Sequence, residues 1–313
     1  MGTPEFAVPS LDILYKNGYE IVGVITAPDK PAGRGKKLSE SAVKKFALQN
    51  GLPLLQPEKL KSPDFIQQLK NLKADLQVVV AFRMLPEIVW KMPRLGTFNL
   101  HASLLPKYRG AAPMNWAIIN GETETGLTTF FLDQLIDTGE IIFNEKILIN
   151  PDETLGKLHD EMMIKGADLV LKTTRAIQEG NVKLTKQDLI LSGEVEIKPA
   201  PKIHKTDCKI NWNNKCSEIY NLVRGLSPYP AAFSEFISPD NKKILFKIFK
   251  ATIEKDNHDH IPGTILTDKK SFLIIAANGG FINIIELQLA GKKKMYVSDF
   301  LRGFKISENW RVE

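Results

Sequence analysis

The sequence predicts an α/β domain built on a parallel or mixed sheet, followed by a small β-barrel. Three observations predict it. Short β-branched runs alternate with helical stretches through the first 190 or so residues. The pattern breaks at Ser192–Thr206, where prolines and charges follow no period. Beyond that break, short extended runs follow one another closely, separated by Gly, Pro, Asn and Asp. Strand–helix–strand order gives sheets with helices on their faces, and closely spaced short strands give barrels. At 313 residues the chain exceeds the usual size of one core.

In order along the chain, Glu20–Thr26 reads as a buried strand ending in a loop at Pro28. Ser41–Asn50 is helical by period, with Gly51 just past its end. Ala74–Phe82 is a valine-rich buried strand, Thr97–His101 a third, Gly126–Leu132 a fourth, and Glu140–Ile149 a further extended stretch. Leu155–Glu179 is a long helix closed by Gly180. The expected division is an α/β domain at 1–191, a linker at 192–206 and a barrel domain at 207–313. In the last, Ser217–Arg224 is a short helix. The strands are Ala232–Ile237, Ile244–Ile253, Thr264–Leu266, Phe272–Ala276 and Ile282–Gln288.

Residues 1–200 hold 24 basic and 24 acidic side chains, so the whole net charge of +6 lies in the remaining third. An excess so confined suits a polyanion such as nucleic acid; a lysine-rich solvated surface fits it equally well. No apolar run reaches the roughly 18 residues of a membrane span, and no secretory signal pattern opens the chain. Cys208 and Cys216 have no partners at metal spacing, and nothing indicates an oxidising compartment. A cytoplasmic, metal-free, monomeric enzyme is the expectation.

The chemistry concentrates in Asn99-Leu100-His101-Ala102-Ser103-Leu104-Leu105-Pro106. Strand alternation puts Asn99 and His101 on one face, at a strand's carboxyl end, where doubly wound sheets bind ligands. An imidazole takes and returns a proton near neutrality. An amide NH₂ donates to a developing oxyanion. Ser103, Leu104, Leu105 and Pro106 then offer apolar groups and backbone to a flat heterocycle. Alone, His101 reads more readily as a structural histidine and Asn99 as a turn residue. Asp137-Thr138-Gly139 adds a group that orients the imidazole, with Asp133 as a nearby competitor. Asp137 is preferred because Gly139 permits close approach of backbone to a ligand.

Asn-x-His, Ser-Leu-Leu-Pro, Arg-Gly-Ala-Ala-Pro (109–113) and Asp-Thr-Gly together resemble the folate-dependent formyltransferase superfamily. Ala27–Lys37, Leu55–Lys59, Leu158–Asp160, Ile210–Trp212, Arg224–Pro230 and Ala290–Met295 resemble the branch that acts on methionyl-initiator-tRNA. The resemblance implies a Rossmann-like catalytic domain and a C-terminal barrel similar to an OB-fold. It implies 10-formyltetrahydrofolate as donor, initiator methionyl-tRNA as acceptor, and Asn99, His101 and Asp137 as the catalytic set. It also implies a folate site that includes Ser103–Pro106.

The loop after Pro28 is basic, with Lys30, Arg34, Lys36, Lys37, Lys44 and Lys45 against Asp29 and Glu40. Gly33 and Gly35 let the Arg34 guanidinium reach a polyanion. The resemblance implies contact with the tRNA acceptor end through Arg34, Lys36 and Lys37. Lys292, Lys293 and Lys294 are the corresponding candidates in the barrel. Two departures stand out. The chain opens at Met1-Gly2-Thr3-Pro4 where relatives carry an apolar strand, so native residues are expected before Met1. Arg83 stands where relatives more often carry glycine, near the expected pterin pocket. Two alternatives stay open: a superfamily enzyme acting on a folate or an amino sugar nucleotide, and an RNA-binding protein with a decayed site.

Overall fold

The computed structural model describes residues 1–32, 37–191, 197–306 and 309–313. The chain divides into two units, one of residues 1–110, 125–148 and 159–199, the other of 111–124, 149–158 and 200–313.

In the first unit come β1 (Val24–Ile25), the hairpin strands β2 (Lys30–Ala32) and β3 (Lys37–Ser39), and β4 (Leu54–Leu55). β1 pairs in parallel with β4. A four-stranded sheet follows, in the order β5 (Gln77–Val80), β6 (Thr97–His101), β7 (Glu124–Phe131), β8 (Ile141–Leu148). β5 and β6 are parallel, and β6 and β7 antiparallel, so the sheet is mixed. The Gly2 N–H donates to the Ile25 carbonyl, and the Val80 N–H donates to the Met1 carbonyl. Met1–Gly2 therefore links β1 to β5. The strand expected over Glu20–Thr26 shrinks to two residues, those with a ladder partner in β4.

Sequence sets which face of β6 does what. Phe98 and Leu100 are buried. Leu100 lies against Gly166 of the helix Leu155–Gln178, where an added Cβ would come within 2.8 Å of a Leu100 methyl. On the same helix Thr173 Oγ1 meets Thr129 Oγ1 of β7 at 2.9 Å. Side chains alternate along a strand, so Asn99 and His101 face away from this helix. Truncating a buried phenylalanine such as Phe98 to alanine costs roughly 3–5 kcal/mol. The helix Ala42–Gln49 is capped by Ser41, whose hydroxyl accepts from the Lys44 N–H at 3.0 Å; such a cap contributes about 1 kcal/mol.

The second unit is a nearly closed antiparallel barrel. Its strands are β9 (Ala232–Ile237), β10 (Lys243–Glu254), β11 (Ile265–Thr267), β12 (Leu273–Ala277), β13 (Gly280–Leu289), β14 (Met295–Tyr296) and β15 (Arg311–Val312). They run β11-β12-β13-β10-β9-β15, with β14 on β13. The ends meet where Thr264 bridges Arg311 and the Val312 N–H donates to the Gly263 carbonyl. Gly263 has φ +88°, and an added Cβ would lie 2.6 Å from the Val312 oxygen, so this closure requires glycine. Phe236 stacks on Phe246 at 3.9 Å between ring centroids inside the barrel.

Two segments that precede the barrel in sequence also belong to this unit. On the helix Pro113–Ile119, the Asn115 amide donates to the Gly225 carbonyl at 2.9 Å. Gly225 lies on the helix Cys216–Leu226, and a Cβ there would meet Ile119 at 2.7 Å. Arg224 is buried and donates through Nη1 to the carbonyls of Asn150 and Glu153. Burial lowers the guanidinium pKa from its usual value, and Tyr220 partly offsets this. Of the linker expected at 192–206, residues 192–196 lie outside the described residues; 197–199 fall in the first unit and 200 onward in the second. Cys208 and Cys216 are both free and buried. Among the described residues no helix is long and apolar enough to cross a membrane.

Candidate active site

The register of the first sheet brings the carboxyl ends of β5 and β6 together, with Val80 beside Leu100. His101 ends β6 and is buried. Its Nε2 lies 2.8 Å from the Tyr108 carbonyl. A carbonyl only accepts, so Nε2 carries the hydrogen and donates it. Nδ1 is then the basic nitrogen, and it lies 3.8 Å from Asp137 Oδ2. That is too long for a hydrogen bond and short enough for an ion pair once the ring is protonated. The ring is thus oriented by a backbone carbonyl, and Asp137 faces its opposite nitrogen.

Asp137 is held as firmly. Its Oδ2 accepts from the Gly110 N–H at 2.9 Å. Its backbone sits at φ +55°, in the left-handed region that costs a non-glycine residue roughly 1–2 kcal/mol. Asp133, the competitor, is exposed and serves its own turn, accepting from the Leu135 N–H and the Thr138 hydroxyl. Gly139 approaches the chain itself: a Cβ there would sit 1.7 Å from the Phe131 carbonyl oxygen. Its absence of a side chain lets the turn close on β7.

Asn99 is half-buried on the face that carries His101, and its amide has no hydrogen-bond partner among the described residues. Ser103, Leu105 and Pro106 are buried. The Ser103 hydroxyl donates to the Lys107 carbonyl at 2.7 Å, and Thr128 Oγ1 donates to the Ser103 carbonyl at 2.7 Å. Leu105 packs with Phe130 and Ile141. Leu104 is half-buried and lies over Gly126. These four residues hold the turn that brings Tyr108 to His101.

Gln187, which sequence reasoning missed, joins the remaining pieces. Arg109 donates to its Oε1 through Nε and Nη2, at 3.1 and 2.7 Å. Its Nε2 donates to the carbonyls of Asp137 and Gly139, at 3.0 and 2.8 Å. No period or motif marks it. It stands 50 positions beyond Asp137 and arrives there because Thr185 bridges Ile141.

After β5, Arg83 donates to the carbonyls of Pro57 and Glu58. Arg83, Met84, Leu85 and Pro86 line, with Leu60 and Lys61, a cavity of about 280 Å³. In the basic loop, Arg34 and Lys36 lie outside the described residues, and Lys37 is the first residue of β3. Lys44 pairs with Asp29 at 2.5 Å and with Glu40 at 2.9 Å, so it anchors the hairpin and is not free for a polyanion. The hydrogen bond from Lys44, then that from Gln56, holds the Asp29 carboxyl below the usual carboxylate range. Lys292, Lys293 and Lys294 are exposed on the turn between β13 and β14, in the other unit. Lys294 is tied to Glu286 at 2.7 Å.

Residues 1–174 match the family model described as formyl transferase, and residues 202–305 match its C-terminal domain. The chain belongs to the formyl transferase family. Relatives within the family are close. A protein of Bacteroides fragilis named methionyl-tRNA formyltransferase is 54% identical over 314 residues, covering 100% of this chain and 96% of that protein. One of the same name from Flavobacterium johnsoniae is 53% identical, covering 100% and 97%. Two solved structures share the fold. A sugar 3N-formyl transferase solved with dTDP and 5-N-formyl-THF has a TM-score of 0.62 at 23% identity, covering 93% of this chain and 97% of that one. An N-formyltransferase from Helicobacter canadensis, complexed with folinic acid and dTDP-3-aminofucose, has a TM-score of 0.63 at 22% identity, covering 94% and 97%.

Proposed function

We propose that this chain transfers the formyl group of 10-formyltetrahydrofolate to the α-amino group of methionyl-initiator-tRNA, supporting translation initiation in the cytoplasm. The observation that carries the reading is the commitment of His101 Nε2 to a carbonyl. It leaves Nδ1 as the one basic atom of the ring, beside Asp137 and on the sheet face that carries Asn99.

An attacking amine must be neutral, and an ordinary α-amine, with a pKa of about 7.7–8.0, is inexpensive to deprotonate near neutrality. Attack forms the new carbon–nitrogen bond and moves the carbonyl electron pair onto oxygen. The Asn99 amide donates to that oxyanion. His101 Nδ1 takes the amine proton, and the imidazolium lies within ion-pair reach of Asp137. Collapse of the tetrahedral intermediate breaks the bond to the folate nitrogen, to which His101 returns the proton. The products are formylmethionyl-tRNA and tetrahydrofolate.

The turn Ser103–Pro106 and the cavity beside Arg83 form the folate side of the site in this reading. Arg34, Lys36 and Lys37, with Lys292, Lys293 and Lys294, serve the tRNA. Residues 1–191 supply the chemistry, and 207–313, which follow the linker, supply most of the affinity for RNA. The deciding measurement compares formyl transfer to methionyl-tRNA, free methionine and an amino sugar nucleotide. Strong preference for methionyl-tRNA is expected; equal or better use of the sugar nucleotide overturns the acceptor assignment.

A further inference from the structure

The segment Tyr108–Gly110 holds both members of the reacting pair. The Tyr108 carbonyl accepts from His101, and the Gly110 N–H donates to Asp137. The spacing between His101 and Asp137 therefore depends on how this segment is fixed to the turn at Asp137. One side chain spans the two. Gln187 takes Arg109 on its oxygen and gives both amide hydrogens to the turn, at the carbonyls of Asp137 and Gly139.

The bonds close a ring. It runs from Gln187 Oε1 through Arg109 to the Gly110 N–H, across to the Asp137 carboxylate, and back from the Asp137 carbonyl to Gln187 Nε2. Only 2% of Gln187 is exposed, so water does not replace these partners. The chemistry of the position is exacting. One end must accept twice from a guanidinium, and the other must donate twice to carbonyls. A neutral amide does both; a carboxylate cannot donate, and a thioether accepts only weakly and donates nothing. The ring also holds Asp137 in its left-handed conformation, which no glycine relieves.

We infer that Gln187 is a positioning residue that sets the Asp137 carboxylate against His101, an inference that rests on the reading of those two residues as the reacting pair. Buried and bonded only to Arg109 and the turn among the described residues, it acts through those two.

The test uses the full chain with 10-formyltetrahydrofolate and methionyl-tRNA, and measures kcat and KM for Gln187→Glu, Gln187→Met, Asp137→Asn and the double variants. Gln187→Glu keeps the acceptor for Arg109 and removes both donors to the turn. It is expected to lower kcat by about 10–100-fold, the loss known for partners that orient metal ligands and taken here as the scale for an orienting contact, with little change in either KM. In the Asp137→Asn background the same change is expected to cost less than about threefold more, because residues acting through one another are not additive. Gln187→Met should behave alike; should it fail to fold, Gln187→Glu carries the test. A kcat for Gln187→Glu near wild type, an equal fold-loss in both backgrounds, or loss of the folded state by Gln187→Glu overturns the inference. Asp137→Asn with wild-type kcat sinks the parent reading as well. A costly Asp137→Asn with a multiplicative Gln187→Glu sinks this inference alone.

Discussion

His101 Nδ1 lies 3.8 Å from Asp137 Oδ2, while the opposite ring nitrogen is spent on the Tyr108 carbonyl. The pair is thus poised for an imidazolium and is not hydrogen-bonded beforehand. His101→Ala should lower kcat by roughly 10²–10⁴, the range for a positioned acid–base group. Folate binding should stay unchanged. Titration of the donor alongside turnover checks both halves. Turnover within a few-fold of wild type would remove His101 from the chemistry.

Asn99→Ala should reduce kcat by about 10²–10³, as for loss of one oxyanion donor. Its amide has no internal hydrogen bond among the described residues, so the folded state should lose little. Thermal unfolding and kinetics on the same preparation separate the two effects. A raised KM with normal kcat would make Asn99 a binding residue instead.

Changing Arg34, Lys36 and Lys37 together to Ala should weaken binding of methionyl-tRNA and leave the folate site alone. Each lost phosphate contact removes about 0.7 from the slope of log affinity against log salt for a single strand, so the slope should fall by at most about 2. Changing Lys292 and Lys293 should act in the same direction by a smaller amount, about 1.4 at most on the same scale. Binding across a salt series measures both. Parallel slopes for variant and wild type would leave the loop without a role in tRNA binding.

The Asp29–Lys44 pair makes the hairpin base sensitive to acid. The Asp29 carboxyl is held below its usual range by Lys44, so its contribution is present above the ordinary carboxylate pKa of about 3.9. It is lost as pH falls through the depressed folded value. Asp29→Asn should therefore lower Tm near neutrality, with the difference from wild type shrinking at acid pH. A difference independent of pH would assign the effect to packing.

Arg224→Met should destabilise the second unit by about 2–3 kcal/mol, the scale of a hydrogen bond to a charged group lost in a buried place. The Glu153 carbonyl would lose the guanidinium donor, and the Asn150 carbonyl would keep only the Glu153 N–H. Chemical denaturation gives the number, and an unchanged midpoint would contradict the role of Arg224 as a clasp.

Local pattern carried some elements well. Thr97–His101 and Ala232–Ile237 fall where alternation places them, and the long helix ends at Gln178, one residue before the expected position. Elements whose signal is short or proline-led were not legible, such as the helices Pro63–Asn71 and Pro113–Ile119. Asn99 and His101 share a face because the strand period is two. Asp137 was distinguishable from Asp133 only by the glycine after it, and the structure gives that glycine a different reason, the closing of the turn on Phe131. Gln187 was beyond reach, since its four hydrogen bonds depend on a bridge between Thr185 and Ile141 that no local rule foretells. Lys44 looked like part of a basic patch because sequence shows charge and not pairing.

The clustering of residues 111–124 and 149–158 with the C-terminal residues has a consequence for the order of synthesis. Domains generally fold as they leave the ribosome, the N-terminal one first. Here the helix Pro113–Ile119 emerges about a hundred residues before its partner Cys216–Leu226 exists. During that interval Ile119, which packs against the core of the second unit in the finished chain, lacks that cover. The nascent protein must carry a helix whose partner has not yet been made, and exposed apolar surface of that kind is what chaperones bind. A stalled chain released after residue 199 should be held by such a chaperone, whereas one extended past residue 226 should begin to let go.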